Sequence, residues 1–431
     1  MSILQHLQKT TLSLCLLLPI AALAAAGAGD ASSEIWIDGV DTTPPGAQPA
    51  NPDATVDHAG RSIFVWDASA TSRQEVFLRR FDKDNKPMGD AVQVNTFDAQ
   101  RQSNPRVAVS SDNSFLVVWR SAEPPNPDVT FTRDRIRSQA FDANGNPVGD
   151  EQLLSTLDPL IATGGAPTDV TALNNGDYIV VWRSSQSANE ADTSTTIQAR
   201  RIGANGVPMG DQFQVNSLIS SASENYPAVA ALADGGFIVT WTTPEVHGRR
   251  FMANGTPVGD DFQINTFEEG TESTPDVAVN DDGRVLVTWT DPEESGEFGR
   301  EIRGRMYSAN LAAQGPDFRI NILMEGEQYF GRVANYGENG FFVAWESASS
   351  ASDEDPNSIE GRIVTGSNQF TGTQFLVNQF TNDTQQSPGI GGRNGLVAVA
   401  WDSRRGNPET TISTIQGMVW SICGIFCDGF E

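Results

Sequence analysis

Histidine is nearly missing from this chain, with three in 431 residues, and the first, His6, lies in the N-terminal leader. Chemistry that leans on imidazole therefore has only His58 and His247 to draw on, and no Ser-His-Asp or zinc-ligand spacing assembles around either. Cysteine is equally scarce: Cys15 in the leader, then Cys423 and Cys427 close to the end. Basic residues are outnumbered, 28 Lys+Arg against 55 Asp+Glu, for a net charge of −27. Without a basic surplus to neutralise phosphates, nucleic-acid binding is excluded as an expected role. After Leu23 no apolar run is long enough to cross a bilayer as a helix. What the chain does carry freely is glycine (40) and proline (23), the composition of many short strands and turns.

The leader MSILQHLQKTTLSLCLLLPIAALAAAGAG has one Lys, an apolar run from Leu12 to Leu23 and small residues after it. That order is the n-region, h-region and cleavage site of a secretory signal peptide, with cuts expected after Ala24, Ala26 or Ala28. We assign residues 1–26 to it and expect an exported protein in the periplasm, at the cell surface or outside the cell. Cys423 and Cys427 then meet an oxidising compartment, and a small local disulfide is the expected pairing.

Beyond the leader the chain repeats. Seven of its nine tryptophans end one apolar phrase: IFVW (Trp66), FLVVW (Trp119), YIVVW (Trp182), FIVTW (Trp241), VLVTW (Trp289), FFVAW (Trp345) and VAVAW (Trp401). Their spacings are 53, 63, 59, 48, 56 and 56 residues, a period that signals a repeat architecture. Upstream of each lies a short strand, opened by Pro52, Pro105, Pro167, Pro227, Pro275 or Pro388, with Gly331 in the sixth unit. Proline suits a strand's first residue, which need not donate to the ladder. Downstream come a variable loop, a third strand such as IQARRI (197–202), and an Asn-Gly turn as in DANGNPVGD (142–150). Asn-Gly predicts a tight hairpin with two positive-φ residues. A fourth strand follows, reading VQVN, FQVN, FQIN, FRIN or FLVN.

Four antiparallel strands repeated seven times make a β-propeller. The seventh unit ends at IQGMVW without a fourth strand, and the N-terminal Ile35-Trp36-Ile37-Asp38 supplies a spare one. The expected fold is all-β: a seven-bladed propeller over residues 34–420, closed by that N-terminal strand, with a Cys-containing tail over 421–431. The phrases FDANGNPVGDEQ, ARRIGANGVPMGDQFQVN and ALADGGFIVTW resemble repeat units of exported proteobacterial propeller proteins. The resemblance covers the repeat type and implies no activity; the terminal CDGFE also resembles a tail on some exported gammaproteobacterial proteins.

Two polar columns recur with the repeat: Arg79, Arg200, Arg249, Arg305 and Arg362 in third strands, and Asn95, Asn216, Asn265, Asn321 and Asn378 after fourth strands. A ring of guanidinium groups suits an acidic sugar or phosphate. Scaffold residues, however, obey a repeat while catalytic residues break it, so the arginines are expected to hold the architecture, stacked on a neighbouring Trp or paired with an acid. The asparagines are expected to cap strand ends. Asp142, Asn144 and Asn146 have the alternate spacing of a calcium loop, but Pro147 and Leu153 stand where glycine and a carboxylate are needed. No cofactor is expected, and loosely bound calcium is the one cation weighed.

In such a meander the second-to-third loops and the blade connections share one face. Here that face carries long, dissimilar loops (120–135, 183–196, 290–300, 346–358 and 402–414), and variable loops on a rigid scaffold are where binding resides. The expected function is a monomeric, non-enzymatic scaffold binding a protein or glycan there, with neutral or basic partners favoured by the charge. The alternative is a carboxylate-dependent glycoside hydrolase or lyase at the channel mouth. Carboxylates and an arginine converging in one deep central pocket, with a raised pKa among them, would argue for the enzyme. A channel of repeat-equivalent residues would argue against it.

Overall fold

The computed structural model describes residues 34–38, 48–70, 73–97, 101–123, 133–155, 168–184, 195–217, 225–266, 272–292, 299–323, 326–338, 340–348, 357–365, 369–381, 384–405 and 412–421. The signal segment, Cys423 and Cys427, Pro167 and most of the long loops lie outside the described residues.

Each tryptophan phrase forms the second strand of a four-stranded antiparallel sheet, and there are seven such sheets. Blade 1 runs Gln48–Val56, Ser62–Ala70, Arg73–Phe81 and Val92–Gln93, and blade 2 runs Gln102–Val109, Phe115–Glu123, Arg133–Phe141 and Pro147–Leu153. The pattern repeats to blade 7, whose strands Thr384–Arg393, Leu396–Arg405 and Ile412–Ser421 are completed by Ile35–Trp36. Ile35 pairs with Gly417 and Trp36 with Gln416, so the chain's beginning closes the ring. The seven-bladed propeller with N-terminal closure is the observed fold.

The second strands are buried on both faces because each stands between two neighbouring blades. Trp66, Trp119, Trp182, Trp241, Trp289, Trp345 and Trp401 are all 2% exposed or less. Each packs into a cluster shared with the preceding blade: Trp119 joins Ile63, Val65 and Val76 of blade 1, and Trp66 joins Ala398, Ala400 and Ile415 of blade 7. Truncating a side chain of that size in a core costs about 3–5 kcal/mol.

Five of the prolines lie inside their strands rather than opening them. Pro52, Pro105, Pro227, Pro275 and Pro388 sit inside inner strands, each at a register shift and each preceded by a residue of positive φ: Asn51, Asn104, Tyr226, Thr274 and Ser387. A bulge leaves one residue unpaired, so a residue lacking N–H is tolerated in mid-strand. The Asn-Gly turns also differ from the expected two-residue hairpin. In blade 2, Gly145 N–H donates to Asp142 O and Asp142 N–H to Asn146 O, and only Gly145 takes positive φ (86°). This is the longer loop in which a left-handed residue ends a type I turn. Asp142 Oδ1 accepts the amides of Asn144 and Asn146, so the carboxylate considered for calcium caps its own turn.

Closure carries one chemical anomaly. In five blades the asparagine after the outer strand accepts the amide of a third-strand residue, as Asn95 does from Val76 and Asn216 from Ile197. Ser155 does so in blade 2, accepting from Ile136. In blade 7 the position belongs to Asp38, which is 3% exposed and receives the Ile415 amide. Burial pushes its carboxyl up to about 6, so ionisation works against the fold as pH rises from about 4 to 6. Asp38→Asn is expected to raise thermal stability at neutral pH by an amount on the order of 3 kcal/mol at most. The gain should shrink below pH 6 and vanish near pH 4; unfolding scans across that range check it, and a constant gain would contradict the assignment.

Candidate functional site

The inner strands of all seven blades meet around one central cavity of about 130 Å³. One inner-strand position, paired with the residue before each tryptophan, sets its chemistry. Around the ring it reads Asp53, Arg106, Asp169, Ala228, Asp276, Arg332 and Gly389, opposite Val65, Val118, Val181, Thr240, Thr288, Ala344 and Ala400. Carboxylates occupy blades 1, 3 and 5, and guanidinium groups occupy blades 2 and 6. Unlike the arginine and asparagine columns, this one breaks the repeat.

Each carboxylate also fastens its blade to the next. Asp53 Oδ2 accepts the Val107 amide (3.0 Å), Asp169 Oδ2 that of Val229 (2.8 Å) and Asp276 Oδ2 that of Val333 (2.9 Å). Asp276 Oδ1 takes the Val277 amide of its own strand as well. Burial raises all three pKa values, opposed by Arg106 and Arg332 and by these amide donors. Asp169 reaches about 7, with the charge of Asp276 adding to the effect of burial. Burial foremost, and then Arg332, lowers Arg106. The glycine in blade 7 has a steric cause: a Cβ on Gly389 would lie 2.3 Å from Pro52 O, and one on Gly391 2.3 Å from Ala54 O. Blade 7 meets blade 1 backbone against backbone.

The ring has a signature in the sequence that stands apart from the tryptophan, arginine and asparagine columns. A charged residue heads the apolar run of most inner strands, as in DATV, RVAV, DVTA, DVAV and RVAN, directly after the proline or glycine marker or one residue beyond it.

The arginine column lies elsewhere. Arg79, Arg200, Arg249, Arg305 and Arg362 each donate Nη1 to a carbonyl at the outer strand of the preceding blade: Ile37, Leu154, Val215, Ile264 and Ile320, at 2.6–3.1 Å. Four of them also donate Nε to a glycine carbonyl of their own blade, Gly210 and Gly259 on the outer strand and Gly89 and Gly315 in the turn before it. Arg79, Arg249 and Arg305 lie over Phe81, Phe251 and Tyr307 rather than over a tryptophan. His247 stacks on Trp241 with ring centroids 6.1 Å apart, and His58 Nε2 meets Arg393 Nη1 at 2.8 Å across the blade 7–blade 1 seam. The two histidines belong to different blades and share no site.

On the loop-bearing side the strand ends are laced by ion pairs. Arg137 holds Glu123 and Glu151 at 2.5 and 3.0 Å, and Arg303 holds Glu301 and Asp317 at 2.7 and 2.9 Å. Asp67 Oδ2 accepts the amide of Asn104, the positive-φ residue of the next blade, and Glu346 Oε2 accepts that of Ser387. Burial raises Glu272, at the blade 4–blade 5 seam, to about 8; it shares the Asn265 amide group with Glu245. Among the described residues no group of three His, Cys, Asp or Glu is arranged to hold a metal ion, and no helix is long and apolar enough to cross a membrane.

No family model matches the chain, and no curated protein matches it. Solved structures share its architecture. An ulvan lyase, described as founding a new family of polysaccharide lyases, is 9% identical over 92% of this chain and 100% of its own, with a TM-score of 0.55. A protein of unknown function from Dyadobacter fermentans is 12% identical over 78% of this chain and 98% of its own, at 0.53. A mutant of the NanB sialidase from Streptococcus pneumoniae is 10% identical over 91% of this chain and 71% of its own, at 0.50. At such identities the likeness shows the fold. The protein is a seven-bladed β-propeller with an asymmetric charged ring in its channel.

Removing the Arg249 guanidinium should leave the Val215 carbonyl without its donor. Arg249→Met is expected to cost about 1–3 kcal/mol by urea unfolding. A neutral result would place the stabilisation elsewhere.

Proposed function

We propose that this chain is an exported, non-enzymatic propeller that binds a glycan through its loop-rich face, its N-terminal leader being removed on export. The observation that carries this reading is how the channel carboxylates are used. All three that converge there accept backbone amides of the neighbouring blade. The cavity they line, about 130 Å³, has room for about four waters, whereas ligand pockets start near 300 Å³. So small a cavity, with its carboxylates already engaged, favours the variable loops as the surface that meets a partner. The glycan is favoured over a protein partner because polysaccharide lyase and sialidase structures share the fold, a support by analogy.

The second reading, glycan processing at the channel mouth, has a specific observation in its favour. Three carboxylates and two arginines do converge, and Asp169 at about 7 is poised to give or take a proton near neutrality. The composition of the ring thus supports the enzyme, and its size and hydrogen bonding support the scaffold. One experiment separates them. The mature protein is applied to an array of neutral, basic and acidic polysaccharides, and each retained polymer is then incubated with it and assayed for new reducing or unsaturated ends. Retention of neutral or basic polymers, weakening with salt for the basic ones and without chain shortening, is expected. New ends lost in Asp169→Asn would replace the scaffold by the enzyme.

A further inference from the structure

The ring contains an imbalance between its donors and its acceptors. Its carboxylates are held by backbone amides, whereas its arginines attract the carboxylates through charge without a contact hydrogen bond to them among the described residues. Arg106 donates Nη1 to the carbonyl of its own neighbour Pro105 at 2.8 Å. Arg332 makes no hydrogen bond and no contact ion pair among the described residues. Both line the same cavity from nearly opposite blades, and each guanidinium stays protonated in a protein and offers five N–H donors. Their mutual repulsion is felt, since Arg332 ranks next after burial in lowering Arg106.

The two remaining ring positions bring no acceptor side chain. Blade 4 supplies Ala228, and blade 7 supplies Gly389, where the Pro52 carbonyl leaves no space for a side chain. Asp276 has both oxygens engaged by the Val277 and Val333 amides. Nine guanidinium donors, five on Arg332 and four on Arg106, thus have no protein acceptor among the described residues and stay open to solvent or to a ligand of the cavity that both side chains line. Its volume suits an ion the size of a few waters.

We propose that the channel cavity is a binding site for one small oxyanion of the sulfate or phosphate class, held between the guanidinium groups of Arg106 and Arg332. Planar guanidinium forks that line one narrow cavity from nearly opposite blades suit the oxygens of such an ion, and Arg is the side chain whose two-donor edge matches them. The charged and titratable groups that face the ion are Asp53, Asp169 and Asp276 from blades 1, 3 and 5 and the two arginines; blades 4 and 7 add none. With all three carboxylates ionised the ring is net negative by one charge, and a proton on Asp169 brings it to neutral. Binding should therefore tighten as pH falls through the neutral range. This site is distinct from the loop-rich face, and its test involves no glycan.

Sulfate, which keeps its charge across the range, is the probe. Calorimetric titration of the mature protein, with chloride at matched ionic strength as the reference, is expected to show one sulfate per chain and tighter binding at pH 6 than at pH 8. Arg332→Gln should weaken it at least tenfold, and Lys86→Gln, on the opposite turn face, should leave it unchanged. Asp169→Asn should bind at pH 8 as the parent does at pH 6 and lose the pH dependence; this variant keeps the shape of the ring and so covers the case in which Arg332→Gln fails to fold. Absence of saturable sulfate binding by the parent, or binding indifferent to Arg332→Gln in a folded variant, would overturn the proposal.

Discussion

The apolar core of this protein lies between blades and never inside one. Each of the seven buried clusters draws its residues from two adjacent sheets, so that Trp289 packs with Ala228, Ala230 and Ile238 of blade 4 while its own sheet's other face meets blade 6. A four-stranded sheet has two faces and no means of covering either alone. Stability thus comes from neighbours, and a ring in which every sheet has two is the arrangement that leaves no face exposed.

The repeating polar residues follow from that constraint. Arginines of the third strands reach back to the preceding blade's outer carbonyls, and channel aspartates reach forward to the next blade's amides, so polar contacts span the same seams as the apolar clusters. Closure imposes a steric condition, as the blade 6–blade 7 seam does, where a Cβ on Gly392 would lie 2.2 Å from Asn335 O. Gly417 is needed because a Cβ there would sit 2.5 Å from Ile37, the side chain that the N-terminal strand inserts into the blade 7–blade 1 cluster. Gly389 and Gly391 serve the same seam at the channel.

Much of this was legible in the sequence. Tryptophan phrases spaced by about one blade, the alternation in FQVN and the missing fourth strand after IQGMVW suffice for seven blades and N-terminal closure, because burial between sheets leaves a signature at every repeat. The bulges were not legible. Proline marks a position without a ladder donor, and both a strand start and a mid-strand bulge satisfy that. The channel ring escaped for a different reason: strands predict which residues share a face, but only closure of all seven brings Asp53, Asp169 and Asp276 together with Arg106 and Arg332. The same closure makes an asymmetric column stand out from the symmetric ones, and it is in such departures that function separates from architecture.

If the core is interfacial, damage at one seam must be felt by both blades that share it. Ile37, fully buried between blades 7 and 1, offers the most direct test. Hydrogen exchange measured by mass spectrometry on Ile37→Ala should show protection lost together in the segments around Trp66 and Trp401, with the segment around Trp241 across the ring much less affected. Loss confined to the N-terminal strand, with both tryptophan segments protected as before, would contradict the account.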